Sequence, residues 1–122
     1  MNTNHIRMAK NESRKWNCQV SSDGEALSLT GCSLSFTVKS ALTQTDGQAL
    51  FQLSIGSGIT LVNTVSGVYT LEISTLCTSN VALSANNQTY YFDHRIKLST
   101  GAVKQLESGQ LIITPCVTNS IV

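Results

Sequence analysis

Charge is scarce in this sequence. Asp, Glu, Lys and Arg make up 12% of its 122 residues, about half the share of an average soluble domain. The net charge is +1, so no basic field draws nucleic acid or an anionic membrane surface. Long apolar runs are missing as well, and no stretch has the roughly 20 residues of a membrane-spanning helix. The segment from Met1 to Asn11 is polar and lacks the apolar region of a secretory signal. That reading expects synthesis in the cytoplasm and reduced thiols. The only proline is Pro115, which leaves the rest of the chain free to donate backbone N–H groups to a sheet ladder.

Close pairs of metal ligands are absent too. Cys18, Cys32, Cys77 and Cys116 are scattered, and His5 and His94 are equally isolated. A zinc site usually draws on closely spaced ligand pairs, so no metal and no other cofactor is expected. The thiols read as small buried apolar groups, although four cysteines also permit two disulfides. No Gly-x-Ser-x-Gly elbow, phosphate-binding loop or paired-carboxylate signature occurs. Asp93, His94 and Arg95 look like a catalytic cluster, but alternate strand residues face opposite ways. Asp93 and Arg95 then share a face as an ion pair, with His94 on the other. No catalytic residue is assigned, and the chain is expected not to be an enzyme.

What the sequence does have is apolar spacing of period two. Cys32, Leu34, Phe36 and Val38 alternate with Ser33, Ser35, Thr37 and Lys39, a strand with one buried face. Trp16, Cys18 and Val20 alternate in the same way. So do Phe51, Leu53 and Ile55, then Tyr69, Leu71 and Ile73, then Tyr90, Phe92, Ile96 and Leu98, and finally Leu111 and Ile113. Turns are expected at Asp23-Gly24, Thr30-Gly31, Asp46-Gly47, Gly56-Ser57-Gly58, Ser66-Gly67 and 99–101. A bulge is expected at Gly109. One helical turn is expected over 74–83, with Ser74 as its N-cap. About seven short strands with regular turn signals predict an all-β chain, an immunoglobulin-like β-sandwich. The expected organisation is an N-terminal arm over 1–12, the sandwich over 13–118 and a tail over 119–122.

Several segments together resemble a family of small immunoglobulin-like domains in tailed-phage virions. They are Asp23-Gly24, the Leu29-Thr30-Gly31-Cys32 turn leading into Phe36-Thr37-Val38-Lys39, and Asp46-Gly47. After these come Gly58-Ile59-Thr60-Leu61, Ser66-Gly67-Val68-Tyr69, Tyr90-Tyr91-Phe92 and the closing Gly109-Gln110-Leu111-Ile112-Ile113-Thr114-Pro115. In their order and spacing they look like the N-terminal domain of the upper baseplate protein family. The resemblance covers 16–118 and implies a non-enzymatic structural subunit of a virion: a tail, baseplate, neck or decoration protein. Its implied partners are other virion proteins, with several copies in a symmetric assembly, no nucleic acid and no membrane. Upper baseplate proteins continue into a fibre region, and this chain stops at Val122. An adaptor, decoration or joining role is therefore expected.

Interface candidates are His5 and Arg7 on the arm, Tyr91 out of phase with its inward neighbours, and the apolar end Ile121 and Val122. Tyrosine is enriched at protein interfaces. The alternative reading is a carbohydrate- or host-surface-binding β-sandwich module. A bacterial structural domain unrelated to phage is a third.

Overall fold

The computed structural model describes residues 3–9, 12–22, 24–78 and 87–114. Its ten strands are β1 (Thr3–Ala9), β2 (Arg14–Gln19), β3 (Ser21–Ser22), β4 (Glu25–Ala26), β5 (Ser33–Lys39), β6 (Phe51–Ile55), β7 (Gly58–Asn63), β8 (Val68–Ile73), β9 (Gln88–Lys97) and β10 (Val103–Thr114). Eight of them form one sheet in the order β1-β10-β9-β5-β6-β7-β8-β2, and β3 and β4 pair separately.

The sheet is curled. β8 and β9 are not neighbours in it, yet the Tyr69 hydroxyl on β8 lies 3.0 Å from His94 Nε2 on β9. One half of the sheet therefore lies over the other, an all-β, sandwich-like arrangement. The core fills the space between. Leu34, Phe36 and Val38 of β5, Tyr69, Leu71 and Ile73 of β8, Phe92 and Ile96 of β9, and Leu111 and Ile113 of β10 are buried together. These are the inward positions that the period-two pattern expects. The Phe36 ring stacks on Phe92 at 5.1 Å between centroids and on Phe51 at 6.4 Å.

The chain passes between the halves at β6 and β7, where Ser54 pairs with Gly58 and Ile55 with Ile59. The turn needs glycine. Gly58 has φ +95°, and a Cβ there would lie 2.6 Å from Leu53 Cδ2 and 3.2 Å from the Glu72 carbonyl oxygen. Ile55, expected inward, stands at this corner and is 38% exposed.

Three expectations are corrected. The arm is not an arm over 3–9: β1 runs parallel to β10, with Ile6 opposite Leu111 and Met8 opposite Ile113. Met8 is 2% exposed. Two inward residues, Ile6 and Met8, suffice because the ladder to β10 supplies the rest. With β1 the sheet has eight strands among the described residues, in keeping with the about seven expected. The bulge lies between Gln105 and Glu107, while Gly109 pairs regularly with Phe92 and Asn4. The helical turn is a 3-10 turn over Thr75–Thr78; residues 79–83 lie outside the described residues, as do Pro115, Cys116 and the tail.

Candidate functional site

A curled sheet that does not close leaves two edges, and among the described residues they are β1 and β2. These strands follow one another in the chain, and a side-chain clasp joins them at one end. The Glu12 carboxylate accepts the Ala9 N–H through Oε1 at 2.8 Å and Arg14 Nε through Oε2 at 2.8 Å. Glu12 N–H in turn donates to the Ala9 carbonyl at 3.1 Å. Arg14 Nη2 crosses to donate to the Arg7 carbonyl at 3.0 Å. The Ala9 N–H, and then Arg14, hold the Glu12 carboxyl below its ordinary range.

Beyond the clasp lies a cleft of about 390 Å³. His5 and Ile6 line one side, Trp16, Asn17 and Cys18 the other, with Phe36, Leu71, His94 and Glu107 completing it. The backbone explains which groups meet there. Along a strand, the N–H and C=O of successive residues point to alternate sides. Arg7 and Ala9 turn theirs toward the clasp, so His5 does the same toward the cleft. On β2, Val20 N–H bonds the Gly67 carbonyl at 2.9 Å. Residues of that parity, Arg14, Trp16 and Cys18, therefore bond β8, and Lys15, Asn17 and Gln19 face away from it. His5 and Asn17 thus present main-chain donors and acceptors on opposite banks of the cleft.

Beneath them runs a buried polar chain. Tyr69, opposite Cys18 in the β2–β8 register, sets its hydroxyl 3.0 Å from His94 Nε2. His94 is 7% exposed, and its ring packs edge-on against Phe36 and Tyr69. Burial pushes the imidazole down to about 4, against a small opposing pull from Asp93. Burial pushes the Cys18 thiol up, and the Glu107 carboxylate adds to this while the Tyr69 hydroxyl opposes it. The Tyr69 hydroxyl is also pushed up, first by burial and then by Cys18 and Glu107. A reactive cysteine needs the opposite, a lowered thiol beside a base able to take its proton. These three groups are uncharged near neutrality, and their chemistry is that of a satisfied polar core. Among the described residues, no three His, Cys, Asp or Glu side chains gather into a set that could hold a metal ion. Cys18, Cys32 and Cys77 are half-buried free thiols.

No known protein family matches this chain, and no curated protein does.

Of the interface candidates, His5 and Arg7 are exposed on β1, and Tyr91 is half-buried on β9. The sheet brings His5 and Tyr91 into one row: His5 pairs with Gln110, Gln110 with Tyr91, and Tyr91 with Lys39. A shallow groove of about 290 Å³ runs along that row, walled by Leu42 and Ser108. Arg7 lies further along β1, and Ile121 and Val122 lie outside the described residues. Asp93 and Arg95 form the expected same-face pair, with Arg95 Nε 3.0 Å from Asp93 Oδ2. Trp16, Asn17, Glu107 and the Cys18–Tyr69–His94 chain were not among the candidates. Their alternation marks a strand, but nothing local marks β2 as an edge.

Proposed function

We propose that this chain is a non-enzymatic β-sandwich subunit that acts by binding other proteins, and that its setting is a tailed-phage virion. The observation that carries the binding role is the open seam of the sheet. Among the described residues, two edge strands have no neighbouring strand on one side, the usual hardware for pairing between chains. The low charge of the sequence supports the same reading, because a surface of hydroxyls and amides is desolvated at less cost than a charged one. The virion setting rests on the sequence resemblance. Quantitative mass spectrometry of purified particles from a host carrying the gene tests it. A fixed number of copies relative to the major capsid protein is expected. Chain found only in the soluble lysate would overturn the setting.

The outer groove favours the second reading, a carbohydrate-binding module. Tyr91 there lies beside Gln110 and Ser108, a ring and uncharged hydrogen-bonding groups suited to a sugar. Glycan-array binding that is lost in Tyr91→Ala would support it. No binding to any glycan would remove it.

A further inference from the structure

We infer that the seam between β1 and β2 is a slot for one extended strand of a partner protein, which would complete the sheet by pairing with both edges at once. The inference deepens the protein-binding reading above and rests on it.

Three observations point to a strand in preference to another ligand. First, the banks are backbone. His5 on β1 and Asn17 on β2 both line the cleft of about 390 Å³, and the strand parity set by the Arg7, Ala9 and Val20 bonds turns their main-chain N–H and C=O groups toward it. A β-strand sends such groups to both of its sides in alternation. Second, side chains already play the strand's part at the clasped end. Glu12 takes the Ala9 N–H and Arg14 serves the Arg7 carbonyl. Each is a bond that a neighbouring strand would otherwise make. Third, the cleft is built for an inward side chain. Phe36 and Leu71 are buried hydrophobic residues that still line it, with the Trp16 ring beside them. The inserted strand would turn an apolar residue onto this floor and its polar neighbours to solvent.

The test uses the full chain and a displayed library of random peptides about 12 residues long, enough to span a strand. Selected peptides are expected to carry apolar residues at every second position. Amide-resolved hydrogen exchange should show protection at both His5 and Asn17 when such a peptide is bound. The selected peptide is then remade with alternate backbone amides N-methylated, in each of the two phases. A strand inserted in the slot uses its amides on both sides, so either phase should weaken binding about tenfold or more. Loss in one phase only would mean addition to a single edge and would overturn the slot. So would a library that yields no binder, or protection confined to the Tyr91 groove. Concentration-dependent dimerisation that protects the same two amides would overturn the partner assignment in favour of a second copy of this chain. Particle occupancy is read separately. A chain absent from particles but binding such peptides overturns the virion setting alone.

Discussion

The two halves of the curled sheet meet along two lines, and the lines are held in different ways. At the β6–β7 corner the chain itself makes the turn and the backbone closes it. Ser54 N–H bonds the Ser57 carbonyl at 3.0 Å, and Gly56 N–H bonds the Ile59 carbonyl at 2.9 Å. At the β1–β2 seam the chain also passes from one half to the other, but there a single main-chain bond, Glu12 N–H to the Ala9 carbonyl, is supplemented by side-chain bonds from Glu12 and Arg14. Main-chain closure is built into the fold and cannot be undone without unfolding. A clasp of two exposed side chains is worth little and can yield to a competing strand. The difference gives one sheet a corner closed by its main chain on one side and a seam held mostly by side chains on the other.

Phe36 touches both lines, since it stacks on Phe51 at the corner strand and lines the seam cleft. Phe36→Ala should therefore have the largest effect, a loss of about 3–5 kcal/mol in a denaturant-unfolding curve. An unchanged midpoint would mean that the core does not bridge the two lines.

Acid comes next, through His94. Above its ordinary value of 6.5 the imidazole is neutral in both the folded and the unfolded chain. Below that the unfolded chain takes up a proton that the folded one refuses until about pH 4. Stability therefore falls as pH drops from 6.5 toward 4. At about 1.4 kcal/mol for each pH unit separating the two values, the loss approaches roughly 3 kcal/mol. Thermal melts across this range should show the slope, and His94→Gln, which keeps a polar partner for Tyr69, should flatten it. An equal slope in the variant would remove His94 from the account.

Gly58→Ala should destabilise the corner by roughly 2 kcal/mol, because the residue sits at φ +95° and its new Cβ would press on Leu53. The smallest effect belongs to the seam. Glu12→Gln should cost no more than about 1 kcal/mol while speeding exchange of the Ala9 amide. The wild-type clasp should behave likewise in acid. Glu12 has a lowered carboxyl, so its contribution is present above the ordinary carboxylate value and lost as pH falls through the lower folded one. A global loss as large as that of Gly58→Ala would mean that the seam is as structural as the corner.

β5 shows what could be read in advance. Its alternation of Leu34, Phe36 and Val38 with polar residues named the buried face, because a strand with one wet side must alternate. The Asp93–Arg95 pair followed from the same rule. β1 carries the same signal in shorter form: Ile6 and Met8 alternate with His5 and Arg7, and a two-residue pattern is too brief to separate a strand from a polar arm. The seam was less legible still. Trp16, Asn17 and Cys18 belong visibly to a strand, but an edge strand and a central one share that alternation. The positions of His94 and Tyr69, 25 residues apart in the chain and 3.0 Å apart in space, carry no local mark.

By itself, then, the amino-acid order determined that the chain is all β, which side of each long strand is buried and where most turns fall. Side-chain period, turn chemistry and the scarcity of charge are local properties written residue by residue. Only the tertiary structure decided that the sheet curls over itself, that β1 pairs with the far end of the chain, and that β1 and β2 remain as facing edges. Pairing order is settled by which strands can bury their inward faces together, and that is a property of the whole chain.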